Sequence, residues 1–375
     1  MNIVQVNFAY DDRLHDPTEL LDRYETLTGW SEAVAAAGAV SFATVQRFQR
    51  EARVTRNGID YLFCRGIDQM VRAVSSARPD VAHVNGLEFP VETWHLRRRL
   101  PVSTVIVVQN HSDGGPVGRA PLLRLAGRVT RHVVDAFLFA ADEHADAWRR
   151  AGLIAMDQPA YQVMEGSTTL RGMSQVAARA ASAVRGSPAC LWVGRLNRNK
   201  DPLTVLDGFE RSVAELPDAE LTMVYSADDL LREVRARIDA SPALRSRVRL
   251  AGRVPHDRMA SFYSAADLFV LGSHHEGSGY ALMEALACGT APVVTNIPTF
   301  RLLTQGGALG ALWTPADPNA CARAMVDVAS GDMGALRTRI AEHFEREFGW
   351  PAVGRRAVSI YRDVRTRDSR RSARA

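Results

Sequence analysis

The chain contains almost no lysine. Of its 46 basic residues one is lysine, Lys200, which leaves 46 − 1 = 45 arginines. That balance looks like a coding bias toward arginine, so any single arginine is weak evidence. A lysine kept against such a bias suggests a position that needs a compact ammonium rather than a planar fork. Cysteine is also scarce. Cys64, Cys190, Cys288 and Cys321 are scattered without metal or redox spacing. They argue against a disulfide framework and fit reduced core thiols in a cytosolic protein. No apolar run approaches the length that spans a bilayer. The first seven residues have neither a basic start nor a long apolar core, so no signal peptide is read and a cytoplasmic location is expected. There is no Asp-x-Asp pair to hold a nucleotide through a metal, and His274-His275 lacks the spacing and third ligand of a zinc site. No metal or cofactor is expected. No basic motif interleaved with aromatics appears, so nucleic acid is not an expected partner.

What is present is a long, ordinary globular composition: 375 residues, 46% hydrophobic and 23% charged, with a net charge of +4. That length suggests two domains. Strand-like and helix-like segments alternate from Asn2 onward, as in a parallel sheet covered by helices on both faces. Strands are expected at 2–8, 40–46, 60–64, 79–86, 102–109 and 136–140. The alternation weakens in a Ser/Thr/Ala/Gly/Arg-rich stretch between Glu165 and Pro188, then restarts at 189–193. The domains are placed at 1–170 and 186–347. A helix at 348–364 and a basic, disordered tail at 365–375 follow.

In doubly wound sheets, ligands sit outside the carboxyl ends of strands. Two such ends in the second half carry chemistry. Strand 189–193 runs into Gly194-Arg195-Leu196-Asn197-Arg198-Asn199-Lys200-Asp201-Pro202. Asp201 suits an N-cap and Pro202 a first helical residue. Arg195 and Lys200 thus lie before a helix N-terminus, where a diphosphate would be favoured. A solvated basic loop is the plain alternative. Strand 268–271 runs into His274-His275-Glu276-Gly277-Ser278-Gly279-Tyr280 and then a helix that stops at Gly289. Glycine turns there present backbone N–H groups to an anion, while Glu276 and Glu284 can accept from hydroxyls. Glu284 sits close to the helix's apolar faces and wants a partner, either ligand hydroxyls or Arg301. In the first half, His111 follows the most β-branched strand and stands near Gly114-Gly115. It could bond a substrate hydroxyl or act as a general base. His83 is a weaker candidate of the same kind.

The ordered pieces Val193-Gly194-Arg195-Leu196 with Lys200, Leu250-Ala251-Gly252-Arg253-Val254, Tyr263-Ser264-Ala265-Ala266-Asp267-Leu268, Ser273, Glu276-Gly277-Ser278-Gly279, Glu284-Ala285, Gly289-Thr290-Ala291-Pro292-Val293-Val294 and Phe348-Gly349-Trp350 resemble the donor domain of the retaining glycosyltransferases of family 4. They cover about half of the chain. The resemblance implies an α/β fold of two facing Rossmann-like doubly wound domains (GT-B), with the donor site in the interdomain cleft. It implies a hexosyltransferase-like enzyme that moves a sugar from a nucleotide-sugar donor, a UDP-sugar by preference, with retention. The acceptor would be a small molecule, a saccharide or a lipid-linked group bound by the first domain. Arg195 and Lys200 would neutralise the leaving diphosphate, Glu276 would meet the transferred sugar and His111 would line it. Gly194 and the backbone near Ser278, Gly279 and Tyr280 would touch sugar or phosphate. Glu284 would hold the ribose, and Arg253-Val254 would face the base. The helix near Trp350 would return to the first domain.

Three positions differ from the family pattern, one being the linker, where Val163-Met164-Glu165-Gly166-Ser167 replaces the more usual Pro-Asn-Gly. The Gly-Gly turn expected after the first strand is replaced by Gly29-Trp30, beyond a polar insertion at 10–27. The phenylalanine often found between the later glycines is Ser278. These changes keep a non-catalytic nucleotide-sugar-binding or partner subunit as an alternative, beside an epimerase or phosphorylase of the same architecture. Arg97-Arg98-Arg99 and Arg119, Arg124, Arg128 and Arg131 around Leu122, Leu123 and Leu125 give two further readings: a weak peripheral membrane contact, or a solvated basic helix.

Overall fold

The computed structural model describes residues 1–39, 41–111 and 120–372. The chain divides into two compact units, Met1–Ser167 with Trp350–Ala375, and Thr168–Gly349. The first unit holds strands β1 (Asn2–Asn7), β2 (Ser41–Arg47), β3 (Ala52–Arg56), β4 (Ile59–Cys64), β5 (Val81–Asn85), β6 (Val105–Gln109), β7 (Ala136–Phe139) and β8 (Ala160–Gln162). They form one sheet in the order β3-β4-β2-β1-β5-β6-β7-β8. Its helices are α1 (Pro17–Arg23), α2 (Glu25–Ala36), α3 (Ile67–Ser76), α4 (Pro90–Arg97), α5 (Ala120–Val133) and α6 (Asp142–Arg150). The second unit holds α7 (Gln175–Ala181), β9 (Ala189–Gly194), α8 (Pro202–Ser212), β10 (Glu220–Tyr225), α9 (Leu231–Asp239), α10 (Pro242–Arg247), β11 (Val248–Gly252), α11 (Met259–Ala265), β12 (Leu268–Leu271), α12 (Tyr280–Ala287), β13 (Ala291–Thr295), α13 (Pro298–Leu303), β14 (Ala311–Trp313), α14 (Pro318–Ala329) and α15 (Met333–Glu347). Its sheet runs β11-β10-β9-β12-β13-β14. The fold class is therefore the one the alternation implies: two Rossmann-like α/β domains.

The sequence dictates much of this locally. β5, β6, β7, β12 and β13 are buried at every residue, as strands covered on both faces must be. Several helices open on an oxygen-bearing cap followed by proline. Asp16, Asp201, Ser241 and Asp317 each accept from first-turn backbone N–H groups ahead of Pro17, Pro202, Pro242 and Pro318. One strand escapes the period-based reading. β3 pairs antiparallel with β4 through Asn57-Gly58, both at positive φ. Asn-Gly in that conformation is a hairpin signal, distinct from the alternating βα pattern. Each sheet also has a point where its strand order reverses. In the second unit the chain leaves β9 toward β10 and β11, then returns on the other side through β12. In the first unit the reversal lies between β1 and β5. Crevices form at such points.

Two expectations are corrected here. Gly29 is not in a turn after the first strand. It lies inside α2, which starts earlier, at Glu25. The last helix, α16 (Trp350–Ser372), belongs to the first unit and runs through most of the expected disordered tail. Its apolar stripe, including Val353, Ala357, Ile360, Tyr361 and Val364, is buried. Arg365 then pairs with Asp80, and Arg367 with Asp363 one turn back. The stripe and these pairs extend the helix through a segment whose composition alone looks unstructured.

α2 and α16 meet through glycines. A Cβ on Gly29 would come within 2.3 Å of the Trp350 ring, and one on Gly354 within 2.1 Å of the Ala33 carbonyl oxygen. Glycine inside a helix ordinarily costs roughly 0.5–1 kcal/mol relative to alanine. Here the sign should reverse. Gly354→Ala is expected to destabilise the protein by about 1–3 kcal/mol through overpacking, read as a lower denaturant midpoint. A neutral or stabilising result would refute close α2–α16 packing.

Candidate active site

In the second unit, the loops after β9 and β12 lie at the reversal of strand order and are stapled to each other. Asn199 does most of the stapling. Its side chain donates to the His275 carbonyl at 3.0 Å and accepts from the His275 N–H at 3.2 Å, while its own carbonyl accepts from the His274 N–H at 2.9 Å. Gly272 permits this approach, since a Cβ there would sit 3.0 Å from the Asp201 carbonyl. Across the staple, Lys200 Nζ donates to Glu276 Oε1, the same oxygen that takes the Ser273 hydroxyl at 2.6 Å. The Lys200 and Glu276 side chains are only 13% and 9% exposed. Two opposite charges so nearly removed from water require each other. Thr299 ties the turn from below by donating to the carbonyls of Glu276 and Gly277.

Gly194 ends β9, and Arg195 next to it is exposed. Among the described residues Arg195 forms no ion pair. The helix end behind this loop is already occupied, because Asp201 caps α8 with its own carboxylate. The other helix end differs. Gly279, at φ +66, precedes α12 and supplies no side-chain cap. A Cβ there would also press on Phe300 at 3.1 Å. Ser278 is buried beside it and Tyr280 is exposed.

Glu284 lies on α12 and accepts from the Tyr263 hydroxyl at 2.7 Å and from His256 Nε2 at 2.8 Å. Those two residues, not Arg301, answer its need for a partner; Arg301 donates to the Asn296 side chain. Tyr263 is fully buried and its phenol is held well above its usual value by burial and by the Glu284 carboxylate. His256 is 58% exposed and hangs from the loop after β11 that also carries Arg253 and Val254. Thus the structure joins the expected base-side segment to Glu284 through a histidine that sequence reasoning missed. Asp267, in the Tyr263–Leu268 segment, is structural. It accepts from Arg179 and from the Ala189 N–H at the start of β9.

In the first unit, His111 belongs to a hydrogen-bonded chain. Its Nδ1 is 3.0 Å from Glu165 Oε2 and its Nε2 is 3.1 Å from Asn85 Oδ1. Asn85 Oδ1 also takes His83 Nε2 at 3.0 Å, and His83 Nδ1 faces the Tyr361 hydroxyl of α16 at 2.6 Å. An amide oxygen only accepts, so both Nε2 atoms carry hydrogen. His83 is fully buried, and burial pushes it down to about 3. It is therefore neutral, and Tyr361 donates to its Nδ1. His111 has acceptors at both ring nitrogens, which is the arrangement of an imidazolium. Desolvation pulls its pKa down, but the Glu165 carboxylate outweighs that and holds it above the ordinary value. The resting state thus favours a donor at this position, not the general base that position alone left open. Glu165 and Asn85 were missed as site residues, although Glu165 sits in the linker and Asn85 ends β5. Gly114 and Gly115 lie outside the described residues.

Comparison with known proteins fits this geometry. Residues 187–330 match the family model described as Glycosyl transferases group 1. The match lies within the second unit. A D-inositol 3-phosphate glycosyltransferase of Thermobispora bispora is 29% identical over 183 residues, 46% of this chain and 42% of that protein. A phosphatidyl-myo-inositol mannosyltransferase of Mycobacterium tuberculosis is 28% identical over 227 residues, 59% of this chain and 58% of that protein. The chain spans about half the length of these curated relatives. Among solved structures, sucrose-phosphate synthase from Thermosynechococcus elongatus aligns with a TM-score of 0.68 at 19% identity, over 97% of this chain and 99% of that one. HepE of Anabaena, in complex with UDP and glucose, aligns with a TM-score of 0.68 at 14% identity, over 97% and 100%. These neighbours place the fold in the GT-B architecture.

The His111–Glu165 pair has a signed consequence. A raised folded-state pKa stabilises the fold fully below the unfolded value of about 6.5 and loses that contribution as pH rises through the raised value. Glu165→Gln should lower the His111 pKa in an NMR titration of its ring protons and flatten stability across that window. An unmoved titration would exclude the pairing.

Proposed function

We propose that this protein transfers a sugar from a nucleotide-sugar donor to an acceptor hydroxyl or amine, with retention of configuration. The observation that carries the proposal is the Lys200–Glu276 pair at the carboxyl ends of β9 and β12, with Arg195 exposed on the same loop. The ammonium has three donors and spends one on Glu276, leaving others for phosphate oxygens. Glu276 keeps lone pairs for sugar hydroxyls. Charge grows on the diphosphate as the anomeric C–O bond breaks, and preorganised cations act where that charge develops. The acceptor oxygen or nitrogen attacks on the leaving face, and its proton passes to a phosphate oxygen. Glu284, already an acceptor for Tyr263 and His256, is suited to ribose hydroxyls.

A UDP-sugar is the favoured donor, an inference supported by the UDP and glucose held by the similar HepE structure. A non-catalytic binding subunit is the second reading. It is motivated by Gly29, which lies in a helix instead of supplying a turn near the donor phosphates. A cytoplasmic location remains part of the proposal; among the described residues, no helix is long and apolar enough to cross a membrane.

Two experiments test this function. A thermal-shift panel of UDP, GDP, ADP, dTDP and their sugars should show one responding base. A ligand at about 100 times its Kd adds roughly 2.7 kcal/mol, and a flat panel would sink the donor-site reading. With the responding donor, Arg195→Ala should keep its melting temperature and lose about 2–4 kcal/mol of barrier lowering, roughly 30- to 1,000-fold in turnover. Lys200→Ala should lose as much turnover and also stability, because Glu276 is left buried and unpaired. Donor binding without transfer to any acceptor would instead favour the binding subunit.

A further inference from the structure

The first unit contains a cleft of about 400 Å³ that none of the roles above uses. It opens beside the carboxyl ends of β1 and β2, next to the reversal of strand order between β1 and β5. Asn7 and Gln46 pair in register across those two strands. The Asn7 amide donates to the Gln46 side-chain oxygen at 2.6 Å, and the Gln46 amide donates to the carbonyls of Ala9 and Arg47. This fixes both side chains and leaves Asn7 Oδ1 without a donor among the described residues. The polar insertion after β1 supplies the opposite wall. Arg13 grips Asp11 with two N–H groups at 2.8 Å each, and the Tyr24 hydroxyl donates to the same carboxylate at 2.6 Å. Asp11 is thereby held ionised well below the usual carboxylate range, and the charge of Arg13 is spent on it. Asp12 is exposed and has no partner among the described residues. Tyr10 is 45% exposed, with the Arg47 guanidinium 5.6 Å from its ring centroid on one face.

The lining thus offers one ring for stacking and acceptors for hydrogen bonds, and its two carboxylates face the Arg13 guanidinium that Asp11 holds, while the Arg47 guanidinium beside the cleft stands over Tyr10. We propose that this cleft is the acceptor subsite and that it takes a hydroxyl-rich ring, a sugar or cyclitol, that is neutral or amine-bearing and carries no phosphate. Asp12 and Asn7 Oδ1 accept from ligand hydroxyls or an ammonium, and Tyr10 packs against the C–H face of the ring. A phosphate there would meet Asp12 and find Arg13 already engaged. The class differs from the phosphorylated compounds that appear in the names of the similar D-inositol 3-phosphate and sucrose-phosphate enzymes. The assignment of the cleft to an acceptor rests on the glycosyl-transfer reading; its preference for unphosphorylated rings does not.

The test uses the full chain and saturation-transfer NMR with four probes: myo-inositol, glucosamine, and their monophosphates. Signal should be seen for the first two and be weaker for the phosphates. Asp12→Asn should narrow the glucosamine to glucosamine-phosphate ratio by roughly threefold to fivefold, the worth of one exposed charge contact. Tyr10→Ala should reduce all four signals while the melting temperature holds. A wild-type preference for the phosphates, or a ratio unmoved by Asp12→Asn, would overturn the proposal. Nucleotide thermal shifts on the same samples separate the two failures. If they persist while the sugar arm fails, only the acceptor class falls. If they are absent, the transfer reading falls, and the NMR arm still decides what the cleft binds.

Discussion

The second unit is organised around one buried ion pair. Lys200 and Glu276 come from loops after different strands, and neither charge tolerates its position without the other. Removing one partner of such a pair costs several kcal/mol, whereas the intact pair adds little net stability. Its value is therefore positional. It fixes the separation of two loops at the point where the sheet reverses, and Asn199, Gly272 and Thr299 brace the same geometry by backbone contacts. The composition agrees with this account. In a chain of 45 arginines, the one lysine is the residue that holds this pair.

The first unit solves a comparable problem with neutral groups. Tyr361, His83 and Asn85 form a buried chain that begins on the last helix and ends on His111. Each link fixes the protonation of the next, because an amide oxygen only accepts and a fully buried imidazole stays neutral. The result is a histidine whose hydrogens are set by groups far away in sequence. The same helix is seated by Gly29 and Gly354, so its approach to α2 and the Tyr361 contact depend on each other.

Much of this was legible in the residues, and what was missed has physical causes. Fully buried parallel strands advertise themselves as β-branched runs, and Asp-Pro pairs mark helix starts, so Asp201-Pro202 placed α8 and the loop before it. Lys200 and Glu276 stand out in the sequence as candidates through their types and their places after strands. Their direct pairing was not, since it depends on how β9 and β12 lie in the sheet. Gly29 misled because a glycine reads as punctuation when its packing partner, Trp350, lies more than three hundred residues away. β3 was missed although Asn57-Gly58 announced it. The chain from Tyr361 to Glu165 joins residues from β5, the end of β6, the linker and the last helix, a contact no local pattern encodes.

The two helix ends near the Lys200–Glu276 pair are not equivalent, and the difference bears on where an anion would go. α8 follows the basic loop, which made it the natural place for a diphosphate. But Asp201 already caps it, satisfying the Thr204 N–H and setting a negative charge there. A second anion would meet that carboxylate. α12 begins instead at Gly279, whose left-handed backbone and contact with Phe300 exclude a capping side chain. Helix N-termini favour anions, and the α12 cap position brings no negative charge of its own. On the proposed reading the diphosphate belongs beside the α12 end, with Arg195 and Lys200 on the neighbouring loop. Cation and helix dipole then come from different strands, and the staple between the loops is what lets them act on one ligand.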